Sequence, residues 1–310
     1  MPQAFNPANV MLADSLGKEI SAQPFTDEFL KQLVATSKVV QLGQRVEMGN
    51  QRIVKKSMGI GELSDAYFVG EGEKIGTANV AGTDYTLESK KIAVILPVTE
   101  EFLTYTWKEY FNQVVPLIVD KFNKKIDGAA FLGLHGDVFG SNVLSAAETA
   151  TNVIEGDLIT DNIYDLEALT ESQPNAFLGH RDINRQLRGL VDGTGTNTEF
   201  IFDRPKTPVA NGALDGLPYA QLQLANGETY PAGTLITGNF NSLRYGVPNG
   251  TSLRLKIADQ ATLSKIQNTS PDSGDVHLFE QDMQALRAIF EIAVAVPKGE
   301  DFAVLKPVGV

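Results

Sequence analysis

The sequence predicts an α+β subunit, and three observations carry that reading. A polar, glycine-dotted stretch over residues 61–91 reads as a long β-hairpin. It runs into an apolar strand at 91–98 and then into one long amphipathic helix over 107–134. A mixed α/β region follows at 157–247, and after it a long apolar strand at 285–296 matches the strand that precedes the helix. That return marks the mixed region as an insertion within a discontinuous domain.

The hairpin is too poor in apolar residues to bury itself. Folded near its middle, each arm of about 14 residues would reach roughly 46 Å at ~3.3 Å per residue. A compact chain of this length has a radius of gyration of only about 20 Å. An isolated two-stranded ribbon is marginal in water, so this one requires a neighbouring subunit to lie on. The expectation is a self-assembling building block. Its candidate interface residues are Tyr67, Phe68, Glu71, Glu73 and Lys74 in the hairpin, with Trp107 anchoring the start of the helix. Glu71, Glu73 and Lys74 would make ion pairs between subunits. Gly70, Gly72 and Gly76 fit neither the dinucleotide fingerprint nor the phosphate loop, and the two glutamates beside them would repel phosphate.

Around this centre the other elements follow in order. Residues 1–24 form an arm punctuated by Pro2, Pro7 and Pro24, and a short helix opens at Thr26 with Phe29, Leu30, Leu33 and Val34 at helical spacing. Residues 39–56 alternate loosely, as a strand pair would. Thr99 is placed to cap a short turn, with Glu100 and Glu101 in the first turn behind it, and Thr106 with Glu109 gives capping-box spacing for the long helix. From Trp107 through Phe111, Val115, Ile118, Phe122, Ile126, Ala129 and Leu132 an apolar residue recurs every three or four positions, with Pro116 inside. Residues 133–156 read as a link, 161–169 and 181–190 as helices, and 175–178, 218–224, 235–238 and 253–257 as strands. The Gly-, Thr-, Asn- and Pro-rich tract 192–215 reads as a mobile loop. The resulting division is 1–60 arm and short elements, 61–91 hairpin, 92–156 spine helix with its strand, 157–247 inserted domain and 248–310 return.

Composition excludes several function classes. A net charge of −12 over 310 residues argues against a general nucleic-acid binder, which needs clustered Lys and Arg. It does suit a wall that encloses nucleic acid without gripping it. With no cysteine, disulfides and thiolate chemistry are absent. The apolar runs are far shorter than the ~20 residues of a spanning helix, and no secretory leader is visible, which points to a soluble protein made in a cytoplasm. His135, His180 and His277 stand apart without metal spacing. No nucleophile elbow or kinase set occurs, and no cofactor, metal or catalytic residue is assigned.

Six segments, in order, carry a resemblance. They are PQAFNPANVM (2–11), AYFVGEGEKI (66–75), ILPVTEEFLTYT (95–106), DNIYDLEAL (161–169), LDGLPY (214–219) and LFEQDMQALRA (278–288). Together they resemble the major capsid proteins of tailed double-stranded DNA bacteriophages, of the Hong Kong 97 capsid fold, in the subgroup from phages of Gram-positive bacteria.

The resemblance implies an extended loop at 61–91, a peripheral domain built on the spine helix and an axial domain at 157–247 gathering at fivefold and sixfold positions. It implies many copies in an icosahedral shell around double-stranded DNA bound without specificity, with separate scaffolding, portal and decoration proteins as partners. The setting is the virion, assembled in the host bacterial cytoplasm. Two features of the founding member are not matched: the segment before the hairpin is short, and Lys74 has no evident asparagine partner for a covalent cross-link. Two alternatives stand beside this reading: an encapsulin-type compartment enclosing a cargo enzyme, and a compact α/β enzyme with a pocket.

Overall fold

The computed structural model describes residues 37–63, 68–75, 77, 80–192, 199–203, 212–248, 254–263, 276–280 and 282–308. The amino-terminal arm and the helix expected from Thr26 lie outside them. The chain divides into two compact units. One contains Ala93–Val119 and the described part of Ser252–Phe290, and the other contains the described parts of Val34–Ile92, Asp120–Thr251 and Glu291–Val310.

The larger unit is organised by a seven-stranded mixed sheet. Its strands run in the order Val153–Glu155, Phe302–Lys306, Leu235–Gly238, Ala176–His180, Leu217–Leu222, Ala213–Leu214, Phe202–Asp203. Leu235–Gly238 lies between two antiparallel neighbours, with Ile236 opposite Val304 on one side and Leu178 on the other. It is buried at all four positions, as an inner strand covered on both faces should be. Asp215 and Gly216, both at positive φ, turn Ala213–Leu214 back onto Leu217–Leu222, the Asp-Gly chemistry of a two-residue hairpin. The helix Thr160–Ala168 lays Ile163 and Leu166 into the core made by Phe177, Tyr219, Leu235 and Leu305. A second contact in this unit is aromatic. Phe240 meets Phe131 at 6.1 Å and Phe302 at 5.5 Å, both edge to face, so three elements distant in sequence share one buried cluster.

The hairpin is present, displaced from its expected bounds. Its ladder pairs Ile53–Leu63 with Val80–Glu88, so the first arm starts eight residues before Gly61, and no strand occurs among the described tip residues 68–75. The strand pair expected within 39–56 does not form. Lys38–Leu42 is a short helix, Gln44–Arg45 pairs in parallel with Arg244–Tyr245, and the residues from Ile53 belong to the hairpin. Ser37 explains the change, because its hydroxyl accepts from Val40 N–H as an N-cap.

The long helix is one element, Glu100–Leu132, of 33 residues and about 50 Å. It passes through Thr106, so the capping-box spacing there is coincidental; the helix starts where strand Lys90–Thr99 ends. Pro116 is tolerated on its exposed side beside Leu117, while Val115, Ile118, Phe122, Ile126 and Ala129 are buried as the stripe requires. The supposed link 133–156 contains the helix Val143–Thr149, capped by Asn142, whose side chain accepts from Ser145 N–H at 2.7 Å. The tract 192–215 is not wholly a loop: Glu199–Phe200 pairs with Val191–Asp192, and Phe202 is buried against Tyr219. The segment 181–190 is a 3-10 turn, Arg181–Ile183, followed by one helical turn, Asn184–Leu187. Residues 248–310 do not all return together, because Phe302–Lys306 joins the seven-stranded sheet.

In the smaller unit Arg254–Ala258 pairs antiparallel with the strand Met283–Ala295, Lys256 opposite Arg287, and Thr262–Leu263 pairs with Val276–His277. Lys90–Thr99 also pairs with Met283–Ala295. It was expected to be buried, but its side chains alternate, leaving Ile95 half-exposed because only one of its faces is covered.

Replacing Phe240 with Ala removes the middle ring of the aromatic cluster and should lower stability by about 3–5 kcal/mol. Chemical denaturation of the unassembled chain measures this, and a loss within the noise would show that the cluster is not a structural centre.

Candidate functional site

The hairpin has a fastened root and an unfastened tip. At the root, alternation along the ladder brings Val54, Tyr85 and Leu87 to one face. They pack against Val46, Met48, Ala293 and Ala295, and Leu87 is fully buried. On the outer face Glu88 bonds Lys90 at 2.9 Å and lies 3.9 Å from Arg52, and the hydrogen bond from Lys90 holds its carboxyl below the usual range.

The tip turns on Gly70–Glu73. Glu73 N–H donates to Gly70 O, Gly70 N–H donates to the Glu73 carboxylate at 3.2 Å, and Gly72 takes φ +83°. The chain therefore reverses on hydrogen bonds of its own, and Phe68 (108% exposed) and Ile75 (79%) are left bare beside exposed Glu71, Glu73 and Lys74. Of the residues expected at an interface, Phe68, Glu71, Glu73 and Lys74 thus stand together at the tip. Tyr67 lies outside the described residues. Trp107 is on the helix Glu100–Leu132, and its side chain is outside the description.

Two polar knots brace the long helix, and sequence reasoning missed both. Asp127, only 4% exposed and one turn beyond the buried Asn123 on the helix's inner face, accepts from Ser37 Oγ at 2.8 Å, Lys38 N–H at 2.9 Å and Val39 N–H at 3.1 Å. It therefore caps a helix 88 to 90 positions earlier in the chain. Burial pushes its carboxyl up to about 6, against the downward pull of those three hydrogen bonds and of the Lys38 charge. Burial in turn lowers the Lys38 ammonium, which Asp127 partly offsets.

The second knot is Glu228, bonded by Lys125, by His135 at 2.8 Å and by Ala225 N–H at 3.1 Å. Burial alone would raise Glu228, but the hydrogen bonds from Lys125 and Ala225, with the Lys125 and His135 charges, outweigh it and hold the carboxyl low. His135 sits at φ +70° between Gly133 and Gly136, both also at positive φ, so its contact with Glu228 secures the tight turn that ends the helix. A carboxylate interrupting an apolar stripe, as Asp127 does in the run KKIDGAAF (124–131), was the available signal for the first knot.

The remaining histidines are held locally. His180 stacks on Tyr230 at 5.2 Å and bonds Asp182 at 2.8 Å, and His277 bonds Thr262 at 3.0 Å. Among the described residues no group of three or more His, Asp or Glu could hold a metal, and no helix is long and apolar enough to cross a membrane.

A rooted ribbon with an exposed apolar and charged tip, a long braced helix and a mixed sheet are the features that set this fold. The phage capsid family model matches residues 19–306, so the chain belongs to that family and is a subunit of a phage capsid shell. It is 38% identical over 309 residues to the major capsid protein of Staphylococcus phage 80alpha, covering 99% of this chain and 90% of that one. Chains from Mycobacterium phages Cain and Adephagia superpose with TM-scores of 0.67 and 0.66 at 20% and 22% identity, each covering 88% of this chain and 91% of theirs. A chain from the capsid of a native GTA particle gives a TM-score of 0.60 at 14% identity, covering 86% and 88%. The fold is the Hong Kong 97 type.

Asp127 makes a pH-dependent prediction. Its folded pKa of about 6 lies above the ~3.9 of an unfolded Asp. Between these values the folded chain binds more protons, so the contribution of Asp127 is greatest below about pH 4 and is lost as pH rises through about 6. The stability gap between wild type and Asp127→Asn, which cannot titrate, should narrow by up to about 3 kcal/mol across that window. A gap independent of pH would contradict this.

Proposed function

We propose that this subunit builds an icosahedral head by two kinds of contact. The axial domain, assigned to residues 157–247 around the seven-stranded sheet, gathers copies into pentamers and hexamers. The hairpin, with the tip residues Tyr67, Phe68, Glu71, Glu73 and Lys74, lies over an adjacent subunit near the peripheral domain that holds the spine helix and Trp107. The shell encloses double-stranded DNA without specific contacts, forms in the host cytoplasm on a separate scaffolding protein and is completed by a portal. Its role is mechanical, with no catalytic step.

The single observation that carries this reading is Phe68 standing fully exposed at the end of a rooted ribbon. With Ile75, Phe68 leaves apolar surface exposed among the charged Glu71, Glu73 and Lys74, the pattern that marks a protein contact. The curated phage relative supports a viral head over an encapsulin-type compartment, for which no residue of this chain speaks. Negative-stain microscopy with light scattering, on the chain alone and with the scaffold candidate encoded beside it, tests the proposal. Uniform shells, pentamers or hexamers are expected, and a stable monomer under both conditions would refute it.

Two variants test the tip. Phe68→Asp should leave thermal unfolding of the unassembled chain unchanged, because Phe68 buries nothing there, yet lower shell yield. Burying one Phe is worth about 1.5–3 kcal/mol, or roughly tenfold or more per contact. Lys74→Glu should weaken shells in low salt more than in high salt; equal shells in both would remove the ion-pair role.

A further inference from the structure

The mixed sheet carries two exposed charged faces of opposite sign. On helix Thr160–Ala168, Ile163 and Leu166 point into the core, which leaves Asp161 and Asp165 outward, one turn apart. On the segment after strand Ala176–His180, Ile183 and Leu187 point into the same core, which leaves Arg185 and Arg188 outward. Among the described residues none of these four side chains is ion-paired within the chain. The helix lies against strands Val153–Glu155, Phe302–Lys306 and Leu235–Gly238, whereas the arginine segment leaves the sheet at Ala176–His180, beside Leu217–Leu222. The two faces therefore stand on different elements packed over one core of a compact unit.

We infer that the arginine face of one copy receives the acidic helix face of the next, and that this contact closes copies into rings. The inference rests on the shell-subunit reading and names the surfaces that would serve it. Identical subunits joined through two different patches make a heterologous contact, which closes when the rotation permits. Charge complementarity selects this partner. In a chain with net charge −12, distant copies repel, and local arginines facing aspartates set the docking orientation. The acidic face also brings apolar area to bury. Ile159 and Phe200 are exposed beside it, joined through Val191, which accepts from Thr160 Oγ1 at 3.0 Å and pairs with Phe200 in the ladder.

Charge reversal and re-pairing is the experiment. Arg185→Glu with Arg188→Glu, and separately Asp161→Arg with Asp165→Arg, should each cut assembled particles about tenfold while unfolding of the unassembled chain stays at the wild-type temperature. Combining all four changes in one chain should restore assembly. An equal mixture of the two reversed chains should assemble by alternation, giving even-membered rings without odd ones. The milder pair Arg185→Gln with Arg188→Gln should lower yield less and flatten its salt dependence between roughly 0.1 and 1 M, where the Debye length falls from about 10 to about 3 Å. Normal shells from either reversed chain, or no recovery in the fourfold variant, would overturn the charge contact and leave the shell reading intact. A wild-type chain that never assembles would remove both.

Discussion

A two-stranded ribbon cannot hold itself in water, and the rest of this structure follows from how that constraint is met. One face of the ladder is committed to the root, where Val54, Tyr85 and Leu87 close over Val46, Met48, Ala293 and Ala295. With the root fixed, the tip can be polar and glycine-bearing, turned by the Gly70–Glu73 hydrogen bonds, and can carry Phe68 into solvent. The single chain bears the cost of that exposure, and in the proposed contact a second copy covers the tip and recovers it. Stability and assembly are thus coupled by mass action.

The root is itself held by longer-range ties. Asp127 caps the short helix that leads into the hairpin, so the long helix fixes where the ribbon begins. Glu228 binds the far end of that helix through Lys125 and His135. The buried Ser242–Asp301 hydrogen bond places the turn before strand Arg244–Gly246 against the start of the last strand. Each tie is a polar group desolvated at a joint between segments remote in sequence, where an unpaired partner would be costly. Side chains of this kind fix geometry more than they add net stability.

Much of the architecture was legible because it rests on local period and turn chemistry. The apolar stripe marked the long helix, and the strand Leu235–Gly238 was legible at its observed bounds, whereas the Asp215–Gly216 turn closes a tract whose composition reads as a loop. The start of the long helix was misread because Thr106 and Glu109 mimic a cap inside a continuous helix that begins at Glu100. The helix Val143–Thr149 was missed because only seven residues carry it and its cap, Asn142, is its main signal. The strand Phe302–Lys306 could be read as a strand, but its place beside Leu235–Gly238 comes from tertiary pairing across the chain. At the candidate site, Phe68, Glu71, Glu73 and Lys74 were singled out from the composition of the hairpin, and they stand together, exposed, at its tip. Asp127 and Glu228 were not singled out, since a carboxylate's buried partners are invisible to spacing.

The most direct test of the central claim is amide hydrogen exchange along the hairpin in unassembled chain and in purified shells. Slow exchange is expected at the root, around Val54 and Leu87, in both states. Exchange over residues 68–75 should be fast in the free chain and become slow on assembly. Equal, fast exchange at the tip in both states would mean that the ribbon ends in solvent even in the shell, and would contradict its role as the tie between subunits.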